Sequence, residues 1–209
     1  MNKFIVFEGL DGTGKTTQIR LLAEHLRREG AAVFTDAEPS SLPTGRFLRQ
    51  VLSGEFASSP WANAALFFAD RVNQNLDPEN GIIRHLQNGD AVILDRYYYS
   101  TFAYQGCETD MKWAMDLHFG CPALTKPDLT LFLTMPPERC MERIVANRSA
   151  DQMEIFETVE TLTAVSRQFD AVFDALRDRD NIVYIDADGT VEQVHERIIA
   201  TVKNAFPED

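Results

Sequence analysis

The feature of this sequence that most restricts its fold is a regular alternation of short apolar runs with longer helical patterns. Each apolar run is continuous, as the strands of a parallel sheet covered on both faces require. We therefore predict an α/β protein with three layers, helix, sheet and helix, built on a five-stranded parallel sheet. The predicted strands are Phe4–Phe7, Ala32–Thr35, Ala91–Leu94, Leu129–Leu133 and Ile182–Ile185. The predicted helices lie at about 16–29, 44–53, 60–88, 108–119, 136–147, 154–179 and 191–204.

The helical pattern at 60–88 contains the pair Asp77-Pro78. Proline removes a backbone donor, so we expect this helix to break or bend there. No repeat, low-complexity tract or linker divides the sequence, which predicts a single domain over residues 1–209.

The composition excludes several classes of protein. The chain has 209 residues and a net charge of −12, from 32 acidic and 20 basic residues, so a surface that coats nucleic acid is not expected. Charged residues interrupt each apolar run before it reaches the ~18 residues that a membrane span needs. The three cysteines show no C-x-x-C spacing, which predicts neither a disulfide framework nor a zinc site. We expect a protein of the reducing cytoplasm, without nucleic-acid or membrane partners.

A glycine-rich segment follows the first predicted strand and opens the first predicted helix. Residues 9–16 (GLDGTGKT) fit the pattern G-x-x-x-x-G-K-[ST] of a phosphate-binding loop, or P-loop. Its glycines let backbone N–H groups surround an anion, and the helix N-terminus adds positive potential. Lys15 is the expected cation for the β- and γ-phosphates of ATP, and the Thr16 hydroxyl is expected to hold Mg²⁺. The predicted ATP-binding residues are Gly9, Asp11, Gly12, Thr13, Gly14, Lys15, Thr16 and Thr17.

Two charged residues, Asp95 and Arg96, follow the third predicted strand. Open α/β sheets bind ligands at the carboxyl ends of their strands, so Asp11, Asp95 and Arg96 are expected to converge there. We assign Asp95 to Mg²⁺ together with Thr16. A phosphate-binding loop alone leaves GTPases, motors, ATPases and small-molecule kinases open, but the N-K-x-D motif by which a GTPase reads its base does not occur in the sequence.

Several ordered motifs resemble those of the thymidylate kinases, a family of P-loop nucleoside-monophosphate kinases. They are FEGLDGTGKTTQ (7–18), EPSSLPTGRFLR (38–49), LFFADRV (66–72), DRYYYSTFAYQG (95–106) and PDLTLFL (127–133). The resemblance covers essentially the whole chain. It implies the P-loop NTPase fold with a short lid at about residues 143–154, and Mg²⁺-dependent transfer of a phosphoryl group from ATP to dTMP. It also implies a homodimer, for which the long helix at 60–88 is a candidate apolar face.

The resemblance further assigns contacts on the acceptor side. The expected substrate-binding residues are Asp11, Arg49, Phe67, Arg71, Arg96, Ser100, Thr101, Tyr104 and Gln105. The three arginines in this set match family positions that bind the acceptor phosphate or the base. Phe67 is expected to stack on thymine, and Tyr104 is expected to fill the space that a ribose 2′-hydroxyl would need. Asp11 either accepts a hydrogen bond from the 3′-hydroxyl or faces Mg²⁺.

The chemistry of this acceptor agrees with the residues at hand. A phosphate monoester is already anionic at neutral pH because its second pKa is ~6. The reaction therefore needs cations that align two phosphates in line, and it needs no general base. The histidines at 25, 85, 118 and 195 all lie on helical patterns, where we expect surface or packing roles.

The lid is where the sequence departs most from the family. Arg143 and Arg148 are the expected lid arginines, and with Lys15 and Arg96 they complete the predicted catalytic set. Gly12 stands where one branch of the family carries a catalytic arginine, so the lid has to supply that charge. Three further positions depart from the family pattern; arginine, aspartate and arginine are common where this sequence has Ala37, Thr134 and Gln152.

These observations leave three functions to compare. The first is phosphorylation of dTMP to dTDP. The second is a related kinase that acts on another or a modified deoxynucleoside monophosphate, as the departures at 37 and 152 suggest. The third is a nucleotide-binding protein with little catalysis. The presence of Lys15, Thr16, Asp95 and Arg96 together argues against this last interpretation.

Overall fold

A computed structural model describes residues 2–147 and 158–207 of the chain. Its sheet has five strands in the order β2-β3-β1-β4-β5, and every neighbouring pair is parallel. The strands are β1 (Phe4–Gly9), β2 (Val33–Ala37), β3 (Ala91–Asp95), β4 (Leu129–Thr134) and β5 (Ile182–Asp186). The predicted α/β fold with a five-stranded parallel sheet is therefore confirmed, although each strand ends one or two residues later than predicted.

Burial of the strands follows their place in the sheet. The three inner strands are buried almost throughout, because helices cover both of their faces. The edge strands β2 and β5 contain half-buried and exposed positions, and only Ile185 of β5 is buried in them. The continuous apolar runs that predicted the strands thus mark the centre of the sheet most strongly.

The helices are α1 (Lys15–Arg28), α2 (Pro43–Leu52), α3 (Pro60–Leu76), α4 (Ile82–Gln87), α5 (Tyr98–Tyr104), α6 (Met111–Phe119), α7 (Pro137–Asn147), α8 (Val159–Leu176) and α9 (Val191–Ala205). Four of the described helices, α3, α6, α8 and α9, begin at a residue whose side chain caps the helix. Ser59 accepts a hydrogen bond from the Ala62 N–H with Pro60 at the first helical position, and Thr190 and Gln193 form a reciprocal capping box. No helix in the described ranges has the length and apolarity that a membrane crossing requires.

The helical pattern at 60–88 breaks where it was predicted to. The chain leaves α3 at Asp77, whose Oδ1 accepts the backbone N–H groups of Glu79 and Asn80 at 2.9 Å and 2.7 Å. This side chain satisfies the backbone of the turn, and α4 starts after it.

Helix α5 was not predicted, and its residues explain why. Its sequence, YYSTFAY, is rich in aromatic and β-branched residues, which favour strands over helices. Most of its side chains are buried, and Tyr99 packs edge-on against Phe173 of α8 with ring centroids 5.8 Å apart. Tertiary packing therefore overrides the local preference.

Candidate active site

The site lies at the carboxyl edge of the sheet, where the P-loop joins β1 to α1. Gly12 and Gly14 have φ angles of 84° and 93°, a region that favours glycine. Thr13 closes the turn by donating its hydroxyl to the Leu10 carbonyl at 2.8 Å. The backbone geometry that an anion-binding loop needs is therefore present at the N-terminus of a helix of 14 residues.

The side chain of Lys15, the first residue of α1, turns back onto the loop. Its Nζ donates to the carbonyl oxygens of Gly9 and Leu10 at 2.9 Å and 3.0 Å and lies 3.9 Å from Asp11 Oδ1. Burial lowers the pKa of Lys15, and the neighbouring Arg96 lowers it further. The ammonium group is thus held at the loop by carbonyls that a phosphate can replace as acceptors.

The predicted metal ligands are adjacent. The Thr16 hydroxyl donates to Asp95 Oδ2 at 3.1 Å, across the gap between α1 and the end of β3. Asp95 Oδ1 is buried and has no hydrogen-bond partner among the described residues. A hydroxyl and an orphaned carboxylate oxygen suit Mg²⁺, which prefers hard oxygen ligands and keeps water and phosphate oxygens in its shell. The described residues hold no cluster of three or more His, Cys, Asp or Glu that would bind a metal ion without such help.

Arg96 connects the P-loop to the acceptor side. Its φ of 70° is unusual for an arginine, and its backbone N–H is held by the Phe7 carbonyl at 2.9 Å. The guanidinium donates from Nη2 to Asp11 Oδ1 at 2.6 Å and from Nη1 to Ser100 Oγ at 2.9 Å. The predicted convergence of Asp11, Asp95 and Arg96 at one edge is what the structure has.

Tyr104 faces the same arginine. The Arg96 guanidinium lies over its ring, 5.4 Å from the centroid, and burial raises the pKa of its hydroxyl to about 12. The hydroxyl oxygen is buried and accepts or donates no hydrogen bond among the described residues. The next residue, Gln105, is partly buried at the C-terminus of α5.

A second arginine, Arg71 of α3, is completely buried. Its Nε donates to Glu38 Oε1 at 2.8 Å, and its Nη2 donates to the other Glu38 oxygen and, at 3.1 Å, to Thr101 Oγ1. Its Nη1 contacts His118 Nε2. Four of its five N–H groups are therefore engaged by the described residues, which leaves one Nη1 proton for a ligand.

His118 has a role that the sequence did not predict beyond packing. Its Nδ1 lies 2.7 Å from the Ala114 carbonyl, so Nδ1 carries the proton and Nε2 is free to accept from Arg71. Burial and the charge of Arg71 lower the pKa of His118 to about 3, which keeps the ring neutral. Phe68 packs edge-on against it, with ring centroids 5.1 Å apart, while Phe67 on the same helix is half-buried.

Arg49 of α2 contacts the segment that follows β2. Asp70 of α3 anchors this segment, because its carboxylate accepts from the Ser40 backbone N–H at 2.7 Å, from the Ser40 hydroxyl at 2.6 Å and from Thr44 at 2.7 Å. Arg49 donates to the Ser40 carbonyl at 2.8 Å and to the Pro39 carbonyl. Its side chain is thereby directed back over the loop that holds Glu38. Sequence reasoning missed Asp70 and Ser40, although both lie inside quoted motifs.

A cavity of about 630 Å³ extends from the P-loop along α7 and the start of α9. Arg143 and Ile144 of α7 line one side, and residues 187–194 line the other. Arg197 of α9 holds the latter segment by donating to the carbonyls of Asp186 and Asp188 at 2.6 Å and 3.0 Å. This segment begins directly after β5, which ends at Asp186, so an elongated ligand with its phosphates at the P-loop would extend toward it.

The predicted lid is only partly within the described ranges. Arg143 faces the cavity, whereas Arg148 and Gln152 lie outside the residues that the structure describes. Of the other departures, Ala37 is exposed at the end of β2, and Thr134 at the end of β4 donates its hydroxyl to the Ile185 carbonyl at 3.1 Å. A Cβ atom at Gly12 would lie 2.5 Å from the Cys140 carbonyl oxygen of α7. The P-loop therefore has no room for a side chain at this position unless α7 moves.

Comparison with known proteins agrees with this geometry. The family profile described as thymidylate kinase matches residues 7–198. The chain belongs to the thymidylate kinase family. Among its relatives is a thymidylate kinase of Desulfotalea psychrophila, which is 35% identical over 96% of this chain and 94% of its own length. The match to this family begins within β1 and ends in α9, so it includes the P-loop, Arg71, Arg96 and the cavity.

Two archaeal relatives of the thymidylate kinase family are similar over as much of the chain. A probable thymidylate kinase of Thermococcus kodakarensis is 33% identical over 99% of this chain and 100% of its own. A probable thymidylate kinase of Methanococcus aeolicus is 34% identical over 95% of each chain. Both matches run over nearly the full length of this chain and of the relative.

Proposed function

We propose that this protein catalyses transfer of the γ-phosphoryl group of ATP to dTMP, giving dTDP and ADP, in a Mg²⁺-dependent reaction. The bond between the β,γ-bridging oxygen and the γ-phosphorus breaks, and that oxygen leaves with ADP. A phosphate oxygen of dTMP forms the new bond to the γ-phosphorus. The observation that carries the proposal is the contact of Arg96 with both Asp11 of the P-loop and Ser100 of α5, in a chain of the thymidylate kinase family. These contacts support placing Arg96 between the proposed donor site and the proposed acceptor site.

On the donor side, the P-loop backbone and Lys15 are proposed to hold the ATP phosphates. The other residues assigned to ATP belong to the same loop and the start of α1: Gly9, Gly12, Thr13, Gly14 and Thr17. Thr16 and Asp95 would hold Mg²⁺, and the pairing of the Thr16 hydroxyl with a half-satisfied carboxylate supports this. When bound, Mg²⁺ neutralises charge on the β- and γ-phosphates.

On the acceptor side, Arg49 and Arg96 are proposed to bind the dTMP phosphate. Arg71 would donate its remaining N–H to a carbonyl of thymine, and a rigid donor of this kind discriminates against bases that lack the acceptor. Phe67 is proposed to stack on the base. The remaining assigned contacts to the deoxynucleoside are Ser100, Thr101, Tyr104 and Gln105.

Charge on the transferred group is proposed to be met by Lys15 and by arginines of the lid at about 143–154. Arg143 supports this role because it lines the cavity that begins at the P-loop. Arg148 is assigned to the same role by its place in the lid. Steady-state kinetics of Arg143→Ala and Arg148→Ala test the assignment, since loss of a transition-state contact lowers kcat with little change in the KM for dTMP.

The function is tested by one coupled assay of ADP release, with ATP and Mg²⁺ and each of the four deoxynucleoside and four ribonucleoside monophosphates as acceptor. We expect dTMP to have the highest kcat/KM. The departure at Ala37, which is exposed beside Glu38, favours the alternative of another or a modified deoxynucleoside monophosphate. A higher kcat/KM with such an acceptor would identify that acceptor, rather than dTMP, as the substrate. Absence of transfer to every acceptor would contradict the proposed enzymatic activity.

The proposal also includes the oligomeric state, the location and the domain organisation of the protein. We propose a homodimer, which two exposed apolar side chains of α3, Trp61 and Leu76, support. A reducing cytoplasmic location suits the three free thiols, Cys107, Cys121 and Cys140. The chain is proposed to act as a single domain over residues 1–209.

A further inference from the structure

Glu8, the residue before the last of β1, is a completely buried carboxylate that none of the assigned roles uses. Its Oε1 accepts the backbone N–H groups of Tyr97 and Ser100 at 2.9 Å and 3.0 Å. Its Oε2 accepts the Ser100 hydroxyl at 2.7 Å. All three donors belong to the turn into α5, directly after Arg96.

The carboxylate of Glu8 determines the orientation of the Ser100 hydroxyl. An ionised carboxylate only accepts hydrogen bonds, so the Ser100 proton points toward Glu8. The lone pairs of Ser100 Oγ therefore face the other way, where Arg96 Nη1 donates to the oxygen at 2.9 Å. The result is a chain of donors that runs from Arg96 through Ser100 to Glu8.

Charge reinforces the arrangement. Burial raises the pKa of Glu8. The charge of Arg96, the hydrogen bonds from the Ser100 hydroxyl and the Tyr97 N–H, and the charge of Lys15 act in the opposite direction. Arg96 is the larger of the two cationic effects. The carboxylate thus attracts the arginine directly and also holds its serine partner.

We propose that Glu8 is a positioning residue that fixes the guanidinium of Arg96 for the acceptor phosphate by orienting the Ser100 hydroxyl. The inference rests on the proposed function and deepens it. Arg96 has two side-chain acceptors, Asp11 on the donor side and Ser100 on the acceptor side, so its plane is fixed only while both are correctly oriented. Glu8 orients the second.

A merely structural role for Glu8 has a different signature. Tyr97, the residue at the N-terminus of α5, offers no side-chain cap, so Glu8 also satisfies backbone groups that would otherwise be buried without partners. Loss of that role alone would lower stability and leave the kinetic constants at low temperature unchanged. The two roles are separated by changing the charge of Glu8 and the hydroxyl of Ser100 separately and together.

The experiment compares Glu8→Gln, Ser100→Ala, the double variant and Tyr99→Phe in the full chain. Gln keeps an acceptor for the backbone N–H groups but presents an NH₂ group or a weaker acceptor to Ser100. Tyr99 lies on the same helix as Ser100 but does not contact Arg96. Tyr99→Phe removes its buried hydrogen bonds with Asp180 and Thr130 and serves as the stability control. Each protein is measured for melting temperature, for kcat and KM with dTMP and ATP, and for dTMP affinity by calorimetry.

We expect Glu8→Gln and Ser100→Ala each to lower kcat/KM for dTMP about tenfold, with KM for ATP unchanged, as loss of a hydrogen bond to a charged group predicts. The double variant should be no worse than the worse single variant, because both changes break one chain of contacts. Tyr99→Phe should have a lower melting temperature than wild type and an unchanged kcat/KM for dTMP.

Three outcomes overturn the positioning role. One is a Glu8→Gln protein that melts earlier but keeps wild-type kcat/KM for dTMP. Another is a double variant whose loss equals the product of the single losses, which would mean that Glu8 and Ser100 act independently. If Glu8→Gln does not fold, Ser100→Ala decides alone, and wild-type kinetics in that variant contradict the proposal. Wild-type enzyme that transfers no phosphoryl group to dTMP would instead contradict the proposed function.

Discussion

At the scale of single residues, the site is a set of cations that are each held by acceptors placed before any ligand binds. Lys15 is held by two carbonyls, Arg96 by Asp11 and Ser100, and Arg71 by Glu38. Such preorganisation reduces the rearrangement needed when phosphates arrive, because the positive charges are already in place. It also makes the carboxylates beside the cations part of the machinery.

Replacing Lys15 tests the cation nearest the transferred group. We expect Lys15→Met to lower kcat more than tenfold, at least ~1.4 kcal/mol of transition-state stabilisation, since a neutral side chain of similar length cannot replace the charge. Steady-state assays at saturating ATP and dTMP measure it, with Lys112→Met of the exposed face of α6 as the matched control. Retention of more than about a tenth of wild-type kcat in a folded variant would contradict the role.

The Glu38–Arg71 pair should make stability depend on pH. Burial raises the pKa of Glu38 to about 7, against the opposing effect of Arg71, from an ordinary value of 4.5. Between these values the folded state binds the proton and the unfolded state does not, so this group makes the free energy of unfolding fall as pH rises. Relative to Glu38→Gln, which does not titrate, we expect wild type to lose on the order of 2 kcal/mol between about pH 5 and pH 8.

Denaturant unfolding of both proteins at the two pH values measures this difference. Groups other than Glu38 titrate in both proteins, so their contributions cancel in the comparison. A wild-type curve that falls no more steeply than that of Glu38→Gln would show that Arg71 keeps Glu38 ionised throughout.

At the scale of elements, the P-loop and α7 are packed too closely for either to vary alone. The α-carbon of Gly12 faces the backbone of Cys140 in α7, the helix that also carries Arg143. A side chain at position 12 would require α7 to move, so the choice of loop residue and the placement of this helix are linked. This gives a physical reason for the absence of a P-loop arginine here.

Alanine substitutions measure that closeness. Gly12 and Gly30 have nearly equal positive φ angles, 84° and 89°, but a Cβ atom would meet the Cys140 backbone only at Gly12 and open space at Gly30. The backbone strain is therefore matched, and the crowding differs. We expect Gly12→Ala to be less stable than Gly30→Ala by roughly 1–3 kcal/mol in thermal or denaturant unfolding. Equal losses at the two positions would mean that α7 yields at no cost.

At the scale of the whole molecule, a strongly acidic protein is proposed to bind two polyanions. The net charge is −12, yet Lys15, Arg71 and Arg96 are gathered at one edge of the sheet. A few local cations in a partly buried site outweigh distant surface charges, which water and salt screen. We expect the acidic surface to disfavour nonspecific binding to nucleic acid without preventing nucleotide binding.

The proposed homodimer is a property at this scale. Trp61 and Leu76 near the two ends of α3 are 48% and 54% exposed. We expect light scattering after size exclusion to give about twice the 23.6 kDa of one chain. Trp61→Glu with Leu76→Glu should shift the mass toward the monomer, because charge disfavours an apolar contact. Tyr184→Glu, at an exposed position of the edge strand β5, is the control that should leave the mass unchanged.

The sequence alone determined the features that depend on neighbouring residues. The apolar runs predicted all five strands, since a buried parallel strand needs a continuous apolar segment whatever surrounds it. The sequence also predicted the P-loop, the break at Asp77-Pro78 and the family. Each of these depends on glycine or proline geometry, or on motifs, that lie within about a dozen residues of chain. The candidate cations Lys15, Arg71 and Arg96 were identified in the same way.

Only the tertiary structure decided how those cations are held. Arg71 meets Glu38 and His118 across 33 and 47 residues of chain, and Glu8 meets Ser100 across 92. Helix α5 itself forms against its own strand-like composition because packing against α8 buries its aromatic side chains. Local spacing contains no information about such pairs; the crossover connections of the parallel sheet bring them together, and burial then makes each hydrogen bond obligatory.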